Sequence, residues 1–329
     1  VKTKSREIDW PVWIILGLAL SLRLANTIYI GDNYYANFLS DASTYRLWAS
    51  KIVSGSSYGG PAFPMGPLYP YFLALCIKIG FSFYSVLFLQ ALLGTVVVFN
   101  ILLITRRIFD NKAGVIAGFM AAIYGPFIFY DGLLLSESLQ LFLISSSLVF
   151  IIPVKKKKIR MINYFVSGIL IGLAGLGRGT ILLFPLFAAL YWLYKYLQGR
   201  QKKPGRYIRQ AVLILVGAIC GILPATLHNV SNSDFVPISS NFGINFYIGN
   251  NPDATGAYNE PPGLNLSSDF TGRQIAEKET GQKLKSSGVS RFWFERASDY
   301  ISKNSVRFIG GLLGKAWLYF WQFDIPQAE

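Results

Sequence analysis

Ser85-Val86-Leu87-Phe88-Leu89-Gln90-Ala91-Leu92-Leu93-Gly94-Thr95-Val96-Val97-Val98-Phe99-Asn100-Ile101-Leu102-Leu103-Ile104-Thr105 carries no charge, and Arg106-Arg107 follow at once. A helix rises about 1.5 Å per residue, so the roughly 22 residues of Phe83 to Ile104 cover the ~30 Å hydrocarbon layer of a bilayer. Trp13 to Leu22, Leu139 to Ile152 and Ala211 to Leu223 are apolar runs of the same kind. The 329 residues are 52% hydrophobic and 15% charged, where soluble domains carry roughly a quarter charged residues. The sequence predicts an all-α polytopic membrane protein.

Outward from that run, the basic residues fall in four clusters: Lys2, Lys4 and Arg6; Arg106, Arg107 and Lys112; Lys155 to Lys158 with Arg160; and Lys195 through Arg209. Short basic runs between apolar segments are topology signals, so the net charge of +14 does not imply a nucleic-acid partner. With all four clusters on the cytoplasmic side, span one (about 10–30) goes out and a first outer loop, 31–82, follows. The Arg106 cluster must be inside again. Yet two apolar pieces lie between, and Pro67 to Ile79 is only near 20 Å long. It is entered through Pro61, Pro64, Pro67 and Pro70 and carries Lys78. Read as a juxtamembrane or re-entrant helix, it restores the parity.

The crossings then alternate at about 113–130, 137–153, 162–177, 180–195 and 210–227, giving seven spans. The expected divisions are a transmembrane module at 1–228, an extracytoplasmic loop region at 229–305, and an eighth span or interfacial helix at 306–329. Turn chemistry stands at Gly249-Asn250-Asn251-Pro252-Asp253 and Glu260-Pro261-Pro262-Gly263. Asp269 to Lys285 and Val289 to Lys303 read as helices. Val306 to Phe323 is apolar but interrupted by Lys315. The N-terminal stretch is too long for a signal peptide and no small-residue cleavage site follows it, so it is read as a retained span. Cys76 and Cys220 sit in apolar segments as packing residues. The localisation expected is the inner (plasma) membrane, with a cytoplasmic N-terminus.

On this topology the ionisable residues near membrane-embedded positions gather on the outer side. Asp41 opens a short amphipathic helix on which Asp41, Tyr45 and Trp48 share a face. Asp131 and Glu137 bracket one outer turn, Arg178 occupies another, and His228-Asn229 end span seven. Each has a plain structural reading. Ser40 or Asp41 as a helix cap contributes about 1 kcal/mol, Glu137 suits a helix N-terminus, Arg178 is a snorkelling anchor, and the lone histidine packs. Charges of both signs at one depth fit instead a cavity that holds an anion and a carboxylate.

That pairing suits group transfer from a lipid-borne phosphate. A carboxylate orients and deprotonates an incoming hydroxyl while an arginine stabilises the departing phosphate. No Walker loop, GxGxxG, HExxH or CxxC is present, which argues against a nucleotide donor or a metallohydrolase. Asp41 and Glu137 could share a divalent ion, though no ligand spacing demands one.

Several pieces resemble, in order, the GT-C superfamily of membrane glycosyltransferases. The likeness is to bacterial relatives of the protein O-mannosyltransferase and 4-amino-arabinose lipid A transferase group. They are Asp41-Ala42-Ser43-Thr44-Tyr45-Arg46-Leu47-Trp48-Ala49, Gly66-Pro67-Leu68-Tyr69-Pro70, Leu135-Ser136-Glu137-Ser138-Leu139, Gly175-Leu176-Gly177-Arg178, His228-Asn229 and the segment from Asn241 to Pro252. The resemblance implies a seven-span module with juxtamembrane helices in its first outer loop, and inverting transfer from a polyprenyl-phosphate sugar. It implies Asp41 as general base on the acceptor hydroxyl, and Arg178 with His228 at the donor phosphate. Tyr45, Glu137, Asn229, Asn250 and Asn251 would line the cavity. It also implies further spans beyond Glu329, so that the chain is expected to be C-terminally truncated. Sugar and acceptor (protein, lipid or glycan) stay open. A transporter or flippase of a lipid-linked anion using Arg178 and Glu137 is the alternative, although repeated halves are absent. An inert membrane scaffold is the other.

Overall fold

The computed structural model describes residues 10–34, 41–56, 61–154, 158–198, 205–232, 234–266 and 268–320. The N-terminal cations, Ser40, Lys155 to Lys157 and Asp324 to Glu329 lie outside them. The described elements are all helical, with no strand among them, and they divide into two compact units. The first comprises residues 1–58 and 67–224, the second 59–66 and 225–329.

The first unit runs through α1 (Trp10–Tyr34), α2 (Asp41–Val53), α3 (Leu68–Lys78), α4 (Phe83–Ile108), α5 (Asn111–Ile123), α6 (Gly125–Asp131), α7 (Glu137–Ile151) and α8 (Met161–Gly175). A 3-10 turn (Gly179–Leu182), α9 (Leu183–Leu197) and α10 (Gly205–Ser231) follow. Among the described residues, four helical stretches are long and apolar enough to cross a membrane: Trp10–Ile30, Phe83–Ile108, Gly179–Leu197 and Gly205–Ser231. A fifth crossing is available if α5 and α6 act together across a 53° bend. The bend falls within expected span three, and Pro126 in the first turn of α6 explains it, since proline cannot donate the hydrogen bond that would carry the helix through. Expected spans four and five are present as apolar helices of 15 residues each, α7 and α8, short of the ~20 residues a straight crossing takes. The Pro67–Ile79 piece is the 11-residue helix α3.

Helix α4 is the axis of this unit and packs against α1, α5, α6 and α7. Its start is capped by Ser82, whose hydroxyl accepts from the Ser85 amide at 3.1 Å. Its end carries Arg106 and Arg107, cations placed where the helix dipole favours them. Arg107 also donates to the carbonyls of Val149 and Ile152, so it closes the end of α7 as well as its own. Val98 and Leu102 of α4 meet Val12, Ile15 and Ala19 of α1 and Ala121 and Ala122 of α5 in one apolar cluster. Polar contacts join the remaining helices: Asn100 donates to Ser145 and Ser146, each at 3.1 Å, and Ser147 lies 2.7 Å from Ser167.

Helices α8 and α10 approach more closely than side chains allow. A Cβ on Gly168 would stand 2.3 Å from the Ile214 carbonyl, and one on Gly217 would stand 2.2 Å from the Phe165 carbonyl. Gly172 and Gly221 repeat the arrangement one turn on. Each helix thus offers a small-xxx-small pair to the other, which lets backbones meet where no hydrophobic effect drives helices together.

The second unit takes the last two turns of α10 and then α11 (Phe242–Gly249), α12 (Arg273–Thr280), α13 (Ser286–Lys303) and α14 (Ser305–Phe320). Its core joins Ile244 and Ile248 of α11 to Ala276, Val289, Trp293 and the loop residue Leu266. Trp293 donates its indole N–H to the Gly272 carbonyl at 3.2 Å.

Candidate functional site

Three polar side chains meet at helix ends of the first unit. Asp41 is the first residue of α2 and Glu137 the first of α7. Arg178 stands in extended backbone between α8 and the 3-10 turn. Arg178 Nη2 donates to Glu137 Oε1 at 2.7 Å, with the arginine side chain 64% exposed and the glutamate 24%. Glu137 Oε2 is buried and has no hydrogen-bond partner among the described residues. An exposed guanidinium and a carboxylate with one spare oxygen leave this pair open to exchange.

Asp41 feels both of them. Its own surface stays exposed, yet the surrounding protein removes enough water to raise its carboxyl pKa. The Glu137 charge raises it further, against the opposing pull of Arg178. Desolvation and a like charge both disfavour the ionised form, so Asp41 keeps its proton to higher pH than a solvated aspartate. Such a group is a stronger base once ionised.

One turn on, α2 buries Tyr45 and Trp48. The Tyr45 phenol is pushed up by burial and then by the Asp41 and Glu137 charges, and it is hydrogen-bonded to the Ser136 side chain. Ser136 in turn accepts from Gln140 Nε2 at 2.6 Å. Tyr45 meets Tyr69 of α3 edge to face, with centroids 5.3 Å apart. The Tyr69 hydroxyl donates to Gln90 Oε1, and Gln90 Nε2 donates to the carbonyls of Asp131 and Leu133 at 3.2 and 2.6 Å. The Leu68 amide reaches the Leu176 carbonyl at 3.5 Å. These contacts place α2, α3, the 131–137 loop and the 175–178 turn around one point.

The structure therefore brings together Asp41, Tyr45, Glu137 and Arg178. The other four predicted residues belong to the second unit and make local contacts there. The His228 ring stacks on Phe63 at 4.1 Å and 4°. Asn229 is fully buried: its carbonyl oxygen accepts from the Phe63 amide, and its nitrogen donates to Val236 and Ile238. Asn250 donates to Phe246, and Asn251 donates to Tyr247 and Ile248 while accepting from the Asp253 amide. These amides serve backbone groups at the ends of α10 and α11.

Sequence reasoning passed over Arg23, Gln90 and Ser136. Arg23 is fully buried on α1 and paired with Asp131 at 2.7 Å. A charge inside the first apolar run was its visible signal, since an ionisable residue at membrane depth takes a partner. Among the described residues no group of three or more His, Cys, Asp or Glu is placed to hold a metal ion.

Residues 64–222, a little under half of the chain, match the family model described as dolichyl-phosphate-mannose-protein mannosyltransferase. The matched region holds Glu137 and Arg178 and leaves out Asp41. No curated protein and no solved structure matches the chain. The chain is a membrane-embedded helical protein related, over that region, to a glycosyltransferase-like family.

Proposed function

We propose that this protein transfers a sugar from a polyprenyl-phosphate donor to an acceptor hydroxyl at the extracytoplasmic face of the inner membrane, with inversion at the anomeric carbon. The observation that carries the reading is the meeting of Asp41, Glu137 and Arg178 at the ends of α2, α7 and α8. Asp41 takes the acceptor proton, the freed oxygen forms a bond to the anomeric carbon, and the bond from that carbon to the phosphate oxygen breaks. The departing phosphate gains negative charge, and Arg178 is the cation that receives it. Glu137 holds Arg178 in place before the donor arrives. A donor whose tail stays in the bilayer brings its phosphate to the membrane surface, where helix ends rather than helix middles must do the chemistry. The related family model supports the same class of reaction.

The test is release of free polyprenyl phosphate. Membranes containing the wild-type chain or Asp41→Asn are given a panel of polyprenyl-phosphate sugars and a crude acceptor extract. Release from one donor that depends on Asp41 is expected. Equal release from both proteins would reduce Asp41 to a helix cap.

A further inference from the structure

Helix α14 shows two unlike sides. At 3.6 residues per turn, Val306, Ile309, Leu313, Ala316 and Trp317 fall on one side, and Arg307, Gly311, Lys315 and Leu318 on the other. On the first side Val306 is 86%, Ile309 57% and Leu313 68% exposed. The second is tied to the unit. Arg307 Nη2 donates to the Pro252 carbonyl and Lys315 Nζ to the Gly249 carbonyl, each at 2.7 Å.

Those two bonds fix the helix direction. Arg307 and Lys315 are about 12 Å apart along the axis, yet both reach one polar turn, Gly249-Asn250-Asn251-Pro252-Asp253. If α14 crossed a bilayer, that turn, with Pro252 and Asp253 exposed, would enter hydrocarbon beside it, where lipid-exposed irregular backbone is not tolerated. The helix therefore runs along the turn. The same unit also contains the end of α10, a helix long and apolar enough to cross a membrane. Leu227 and Val230 there are exposed apolar residues, so the unit already has an edge at a bilayer.

We propose that α14 lies in the boundary between lipid headgroups and acyl chains, with the Val306–Ile309–Leu313 side toward the lipid. The second unit is then held to the bilayer at two places, the end of α10 and the length of α14. An apolar side opposite a cation-bearing one, with a tryptophan among the apolar residues, is the pattern of an in-plane helix. The occupant of this surface is lipid.

The test places single spin labels in the full chain, in a Cys76→Ser, Cys220→Ser background, reconstituted into phosphatidylcholine–phosphatidylglycerol vesicles. Ile309→Cys, Leu313→Cys and Ala316→Cys carry labels on the apolar side, and Gly311→Cys is the control. Collision with oxygen and with a water-soluble nickel chelate is read by electron paramagnetic resonance. The expected result is a severalfold excess of oxygen over nickel at 309, 313 and 316, at one shallow depth, with no such excess at 311. Nickel access at 309 and 313 would place the surface in water. Depth increasing steadily from 309 to 316 would make α14 a crossing. Shielding from both reagents would mean that protein, such as a second copy, covers it. Each of these three overturns the proposal. The reading needs no turnover, so failure of the transferase assay leaves it standing.

Discussion

Arg23 Nε donates to Asp131 Oδ2 at 2.7 Å, between side chains 0% and 5% exposed, and so joins α1 to the end of α6. Gly94 on α4 makes room for the pair, since a Cβ there would stand 1.9 Å from Asp131 Oδ2 and 2.7 Å from Arg23 Nε. Asp131 opens the turn that leads to Glu137, and Gln90 holds that turn by two of its carbonyls. The ion pair is thus a fixed point from which the candidate site is hung.

Removing one partner leaves a buried charge uncompensated, which costs about 3–5 kcal/mol. Asp131→Ala is expected to lose stability of that order in detergent, measured by thermal unfolding. Gly94→Ala should lose comparably, because its methyl displaces the carboxylate. Arg23→Met with Asp131→Leu should recover much of the loss, as apolar replacement of both partners does. A double variant as unstable as the sum of the single changes would show that the pair is not a unit.

Asp41 gives a pH-dependent prediction that a helix cap does not. Its folded-state pKa is raised, so the folded protein binds this proton more tightly than the unfolded chain does. Stability from the group is present at low pH and is lost as pH rises from the unfolded value through the folded one. Above that window the ionised Asp41 opposes folding. Asp41→Asn is therefore expected to abolish transfer while leaving the melting temperature at pH 7 equal or higher. Asparagine caps a helix as well as aspartate does, so a cap would show instead as a lower melting temperature in Asp41→Ala, at acid as well as neutral pH, with Asp41→Asn still active.

The neighbours of Asp41 tune it in opposite directions, and the acid limb of the transfer rate should report this. Glu137 raises the Asp41 pKa and Arg178 lowers it. Transfer by an ionised base rises with pH through that pKa. Glu137→Gln should therefore move the limb to lower pH. Arg178→Gln should move it to higher pH and slow turnover by 10-fold or more, if the guanidinium receives the phosphate charge. Limbs that stay fixed in both variants would detach Asp41 from the titrating step.

Much of this arrangement is readable from sequence, and the unread part has physical causes. Periodicity and composition give α1, α4 and α10, because long, largely apolar runs have few other fates. The short α3 follows from its length and its prolines. The bend at Pro126 is visible as a residue, but its angle depends on the packing of α5 and α6 against α4. The meeting of Glu137 with Arg178 is suggested by the expected topology, which puts both at one membrane depth. The Arg23–Asp131 pair is not, because the two residues are 108 positions apart in the chain and no local pattern links them. Asn229 shows the reverse difficulty. A polar residue at a helix end reads as a cavity group, whereas its amide binds the Phe63, Val236 and Ile238 backbone.

The glycine contact between α8 and α10 yields the last prediction. A Cβ on Gly172 would lie 2.3 Å from the Ala218 carbonyl, and one on Gly221 would lie 2.6 Å from the Ile169 carbonyl. Both obstacles are helical backbone, which cannot rotate aside as a side chain would. Gly172→Leu must push the helices apart, at a cost of at least the 1–3 kcal/mol typical of overpacking. Helix α8 leads directly into the turn that carries Arg178, so the displacement should also weaken the Arg178–Glu137 contact and depress transfer. Gly179→Ala lies one residue beyond Arg178, with no atom of the described residues within 4 Å of the added methyl, and is expected to change stability by less than about 0.5 kcal/mol. Thermal unfolding of the two variants beside the wild type checks the contrast. If Gly172→Leu melts with the wild type, the helices do not meet through their glycines.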